Sequence, residues 1–160
     1  ILVDMGVTFP DMDGSPGVDL IMADPAWLQA RADRLEGIFI THAHEDHVGA
    51  LGLLWNRLKA PVYARRFTAA IAQSKMERSG QDSTQVRQVN AWPHMVSAGP
   101  FSVGFVPVSH SIPESSSLVI ETPRHRVFFS GDTGLTTEYA AIRERFAMRS
   151  TARTASAAKG

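Results

Sequence analysis

Residues 37–49 read Gly-Ile-Phe-Ile-Thr-His-Ala-His-Glu-Asp-His-Val-Gly, and no other stretch limits the fold as much. Ile38, Phe39 and Ile40 form a short run of β-branched and aromatic residues, the pattern of a buried strand. Thr41 ends it. His42, His44, Asp46 and His47 then fall within six positions, which hold three of the chain's six histidines. Alternate side chains of an extended segment share a face, so His42 and His44 can reach one metal ion together. Asp46 and His47 are neighbours, diverge, and can serve a second ion. Imidazole and carboxylate suit zinc, and manganese is compatible with them. Two ions a few ångströms apart can share a bridging hydroxide and clamp a phosphoryl or carbonyl group. A lone histidine at a strand-to-helix turn is an ordinary surface residue; three with an aspartate at this spacing are not. A purely structural zinc site would use cysteine and close its ligand shell.

Bulk properties narrow the setting. The chain has 160 residues, enough for one domain with a core. It has no cysteine, which removes disulfides, thiolate metal sites and cysteine nucleophiles and fits a cytoplasmic protein. No apolar run approaches the roughly 20 residues of a membrane span, so no membrane partner is expected. The first residue is Ile1 rather than methionine, so a fragment of a longer protein is among the expectations. Formal net charge is zero, so the totals carry no basic footprint for nucleic acid.

Along the chain, Ile1-Leu2-Val3-Asp4 is a short apolar strand ending in a carboxylate. Asp4 either opens a turn or accepts a hydrogen bond from a metal-bound imidazole and orients it. Residues 8–18 form a loop rich in Asp, Gly and Pro, and Leu20-Ile21-Met22 is a brief strand. Asp24 caps a helix with Pro25 at its first position, predicted to run to about Leu35. Val48, Leu51, Trp55 and Leu58 recur at helical spacing and predict an amphipathic helix stopped by Pro61. Val62-Tyr63-Ala64 is the next strand; Arg65 and Arg66 at its end read as a solvated turn before a phosphate contact. A helix over 67–77 follows, then a strand over 86–89. His94 and His125 read as surface residues. Phe101 to Ser109 alternates as a half-buried strand does and delivers His110 at its end, the third imidazole that His42 and His44 need to leave an open position on an ion. Strands over 117–121 and 126–129 follow, and the second ends in Ser130-Gly131-Asp132-Thr133-Gly134.

His-x-His-x-Asp-His after an apolar strand resembles the signature of the metallo-β-lactamase fold superfamily. The run Thr41-His42-Ala43-His44-Glu45-Asp46-His47-Val48-Gly49-Ala50-Leu51 resembles ribonuclease J more narrowly, as do Pro107-Val108-Ser109-His110-Ser111-Ile112-Pro113 and Asp19-Leu20-Ile21-Met22-Ala23-Asp24-Pro25. The likeness is to the N-terminal part of ribonuclease J and covers 1–132. Beyond Asp132 the chain is more similar to other branches, the phospholipase D acting on N-acyl-phosphatidylethanolamine and related lactonases. The resemblance implies an α/β fold, an αββα sandwich in incomplete form, as a domain over 1–146; the small and polar composition of 147–160 predicts a disordered tail there. The resemblance also implies two zinc ions. His42, His44 and His110 would hold one; Asp46, His47 and a bridging Asp132 would hold the other, with Asp46 also orienting the attacking hydroxide as the catalytic residue. Asp4 would then brace an imidazole. The superfamily's further downstream histidine has no counterpart here, so either weaker binding of the second ion, or a second copy or partner chain completing its site, is expected. The implied activity is hydrolysis of RNA phosphodiester bonds by a metal-activated hydroxide. The alternatives are a superfamily hydrolase of a small ester, lactone or phosphodiester, and an inactive truncated domain.

Overall fold

The fold is that of a computed structural model, which describes residues 1–11 and 13–134. Expectations for a helix over 138–146, for the domain limit at 146 and for the tail over 147–160 lie outside the described residues.

Two four-stranded sheets pack face to face. The first is wholly parallel: β1 (Leu2–Val3), β4 (Ile38–Ile40), β5 (Val62–Arg65) and β6 (Val86–Val89), side by side in that order. The second is antiparallel, in the order β10 (Arg126–Phe129), β9 (Ser116–Glu121), β8 (Phe101–Pro107) and β7 (Met95–Ala98). A small hairpin of β2 (Val7–Thr8) and β3 (Ile21–Met22) stands beside them. Parallel neighbours need crossovers, and two helices supply them: α3 (Leu51–Leu58) between β4 and β5, and α4 (Arg66–Arg78) between β5 and β6.

Alternation along β4 divides the core. Ile38 and Ile40 face the helices, where they join Val48, Leu51, Trp55, Leu58, Ala72 and Met76. Phe39 faces the opposite way, into the space between the sheets with Tyr63, Val103, Phe105 and Leu118. Its ring stacks on Tyr63 at 4.9 Å between centroids and tilts against Phe105 at 6.2 Å. All three β4 residues are fully buried, as a central parallel strand covered on both faces must be. Truncating Phe39 to alanine would cost ~3–5 kcal/mol, because it fills the seam between the layers.

The structure departs from the sequence expectations in five places. The helix expected from Asp24 to Leu35 is a single turn, α1 (Ala26–Gln29), followed by a 3-10 turn at Ala32–Arg34. Arg31 between them has φ −132°, which ends the helix although Asp24 Oδ1 does accept from Ala26 N at 2.9 Å. The helix expected after the histidine motif starts one turn earlier, as α2 (Glu45–Val48), and breaks before α3. There Ala50 N turns away to the Met5 carbonyl at 2.9 Å. β7 pairs with β8 where no strand was expected, and β2 was likewise unread. Arg65 is not solvated: its guanidinium meets Glu114 at 3.3 Å. Among the described residues, no helix is long and apolar enough to cross a membrane.

Candidate metal centre

The site lies where the first sheet ends and the second sheet's loops meet it. β4 carries the chain to Thr41 and His42; the first turn of α2 carries Glu45 and Asp46, with His44 as its N-cap in extended conformation (ψ 152°). That extended stretch puts His42 and His44 on one side, while Ala43 is buried on the other. β1 ends beside them. A Cβ on Gly6 would collide with the Asp46 carbonyl, so only glycine lets this segment approach the motif so closely. Met5 N donates to the His47 carbonyl at 2.7 Å and locks that approach.

Three imidazoles converge. His44 Nδ1 is 3.1 Å from His42 Nε2 and 3.0 Å from His110 Nε2. Their rings stand nearly edge-on to one another, with interplanar angles of 79°, 89° and 77°. A second group shares His42 and adds His47 and Asp132. Asp132 Oδ2 lies 3.4 Å from His47 Nε2 and 3.8 Å from His110 Nε2, between the two groups. Asp46 was expected as a ligand of the second ion and as the catalytic residue. Its Oδ2 is 3.5 Å from His47 Nε2 and its side chain 65% exposed, at the rim. It lies outside the two three-residue groups, both of which contain His42.

Asp4 organises the protons. It has φ +60°, a region that few non-glycine residues occupy. Its Oδ1 accepts from Thr41 N at 2.7 Å, and its Oδ2 accepts from Thr41 Oγ1 at 2.9 Å and pairs with His47 Nδ1 at 2.8 Å. A carboxylate only accepts, so His47 carries a proton on Nδ1, and in its neutral form it turns a bare Nε2 to the centre. The Thr41 hydroxyl, having given its proton to Asp4, accepts from His42 Nδ1 at 3.0 Å. His42 Nε2 is therefore bare as well. The hydrogen bond and charge of Asp4 raise the pKa of His47. Burial, and then the neighbouring His47, lower that of His42 to about 4, so His42 is neutral at physiological pH. Thr41 was read only as the end of a strand; its partner Asp4 lies 37 positions away, and no local pattern could have revealed it.

The donor set fits a metal ion. A single proton on His44 Nδ1 cannot serve both neighbouring nitrogens well, whereas a cation among three lone pairs satisfies all of them. Ligand atoms on a tetrahedral zinc with bonds of about 2.0–2.1 Å sit ~3.3 Å apart, close to the 3.0 and 3.1 Å observed.

Near His110, Ser115 is buried with its hydroxyl donated to the Ile112 carbonyl, so it has no proton left for a substrate, and Ser111 is exposed, as are His94 and His125. Trp55 is core, its indole N–H donating to the Ala60 carbonyl at 2.8 Å.

A parallel sheet against an antiparallel one, with a His-x-His-x-Asp-His turn at their common end, defines a class, and the chain belongs to it: the family model described as Beta-lactamase superfamily domain matches residues 4–151. Within that class the chain is similar to ribonuclease J of Sinorhizobium meliloti, with 46% identity over 132 residues, which are 82% of this chain and 23% of that protein. It therefore spans less than a quarter of that relative's length. Two solved structures share the fold. One is the metallo-beta-lactamase fold protein YhfI from Bacillus subtilis, with a TM-score of 0.55 and 17% identity over 88% of this chain and 64% of that one. The other is a metallo hydrolase from the archaeon Ignicoccus hospitalis, with a TM-score of 0.53 and 23% identity over 68% of this chain and 46% of that one.

Proposed function

We propose that this chain forms the metal-binding part of a ribonuclease J-like hydrolase that cuts RNA phosphodiester bonds. The observation that carries the reading is the convergence of His42, His44 and His110 on one point with Asp132 between them and His47. The likeness to ribonuclease J supports RNA as the substrate. The absence of cysteine supports a cytoplasmic setting.

His42, His44 and His110 would hold one divalent ion, zinc or manganese. His47 and Asp132 would hold a second, with Asp46 at its open side. Bound there, the ions would bring the pKa of water down to about 7. The chain's own residues do the remainder. Asp4 fixes His47 and, through Thr41, His42, so that both present lone pairs. Asp46, exposed at the rim, is placed to orient the attacking water. Completion of the second site by a partner chain or second copy belongs to the same proposal.

The test is metal stoichiometry by elemental mass spectrometry, followed by hydrolysis of labelled RNA. Two ions per chain with RNA cleavage lost in His44→Ala and Asp132→Ala is the expected result; either variant keeping full activity would overturn it. One observation favours a small ester or lactone instead. An open depression of about 450 Å³ beside Asp46 is lined by Val7, Ile21, Met22 and Ala23, with no cationic side chain among the described residues that line it. RNA that competes strongly, and loses its effect as salt rises, would decide for the nuclease.

A further inference from the structure

We propose that Glu114 is a positioning residue, whose carboxylate clamps the loop carrying His110 to the start of α4 and thereby holds His110 within reach of His44. The inference rests on the metal centre proposed above.

The loop leaves β8 after Pro107 and returns at Ser116. Its base is closed by Val108 N donating to the Ser115 carbonyl at 3.0 Å, and by Ser116 N donating to Thr41 O at 3.1 Å. His110 lies between these ties. Glu114 reaches from the far side of the same loop across to the helical layer. Its Oε2 accepts from Phe67 N at 2.6 Å and its Oε1 from Arg65 Nη2 at 3.3 Å. The first amides of a helix have no partner within it, and the N-cap of α4 is Arg65, whose side chain caps nothing. Glu114 fills that role from 47 residues away, with its negative charge on the favourable end of the helix dipole.

A second, independent observation concerns the backbone. Glu114 has φ +59°, in the left-handed region where glycine or asparagine sits at lower cost. A non-glycine residue is held there only when its surroundings over-determine it. The side chain's two contacts are those surroundings. Helix α4 is also tied to the histidine motif, because Lys75 Nζ meets both Glu45 oxygens at 2.7 and 2.8 Å. One helix therefore braces both ligand-bearing segments, through Glu45 on one and Glu114 on the other.

The experiment compares wild type, Glu114→Gly and Glu114→Gln. Glycine relieves the backbone and deletes the clamp; glutamine keeps an acceptor for Phe67 N and loses the charge facing Arg65. Amide hydrogen exchange on the metal-free chain reads the loop directly, and cobalt(II) titration followed by visible absorption reads the site. In Glu114→Gly the Val108 and Ser116 amides are expected to exchange about tenfold faster, and cobalt to bind about tenfold more weakly. Glutamine should fall between. Wild-type exchange and cobalt affinity in the glycine variant would overturn the proposal. So would equal acceleration at the β4 amides, which would reveal general destabilisation instead. If the wild-type chain takes up no cobalt, the metal centre fails as a reading, and the exchange pattern alone decides whether Glu114 clamps the loop.

Discussion

The two ligand groups share His42 and differ in almost everything else. His42, His44 and His110 are three nitrogens, all buried or half-buried, and their rings lock one another edge to edge. The second group opens at Asp132, whose side chain is 45% exposed, while His47 is enclosed like the other imidazoles, at 14%. Under the proposed function, the first group would hold one ion firmly, and the second would leave room for water and substrate. Burial that makes the first group rigid also removes the proton from His42, while the Asp4 carboxylate that braces the second keeps a proton near His47. One carboxylate thus serves both sides by unlike means.

The most forceful way to break this comparison is to remove what the groups share. His42→Ala should reduce bound metal to background, measured by elemental mass spectrometry, whereas Asp132→Ala should leave one ion in place. A His42→Ala chain that still holds a full ion would mean the groups are independent.

The next effect is on metal-free stability. The pKa of His42 lies at about 4 in the fold against 6.5 ordinarily, so the unfolded chain takes up its proton first. Stability is full above about pH 6.5 and drains as pH falls towards 4, by about 3 kcal/mol at ~1.4 kcal/mol per pH unit. His47 runs the other way. Its raised value contributes stability that is complete below pH 6.5 and lost as pH rises through that value. Urea unfolding with chelator present should therefore peak near pH 6.5, and His42→Gln should flatten the acid limb. An unchanged acid limb in that variant would dismiss burial as the cause.

Asp4→Asn sharpens the contrast further. It should weaken metal at the His47 side about 10–100-fold and affect the three-imidazole side less, since Asp4 bonds His47 directly and reaches His42 only through Thr41. Equal weakening in competitive chelator titrations would show a single coupled site. The smallest effect is that of Lys75→Ala. Its pair with Glu45 is partly exposed, and its loss should cost about 0.2–1 kcal/mol by denaturant midpoint.

The histidine motif was legible because its residues are consecutive, and strand geometry alone brings His42 and His44 together. β4, β5, β6, β8, β9 and α4 were readable from apolar patterning and from Gly and Pro punctuation. The roles of Asp4 and Asp132 needed family resemblance, because nothing beside either in the sequence announces a partner. Thr41 and Glu114 could not be read at all: their partners stand 37 and 47 residues away, and both residue types are common in turns. The overlong first helix failed for the reverse reason. Asp24 and Pro25 give a sound start signal, but no local stop signal marks the backbone turn at Arg31. Asp46 and His47 were assigned to one ion because neighbours diverge, and the closer association of His47 with His42, at 4.0 Å between ring centroids, came only with the turn of α2.

His42 and His44 follow the parallel sheet, while His110 and Asp132 follow strands of the antiparallel one. An ion held among them would consequently be a further cross-link between two layers already joined by the apolar seam around Phe39 and by hydrogen bonds such as Ser116 N to Thr41 O. Filling the site and docking the sheets become one equilibrium, so each should tighten the other by the same factor. A chelator then acts as a mild denaturant of the interlayer seam, and a substitution deep in that seam, far from any ligand, should register as a loss of metal affinity.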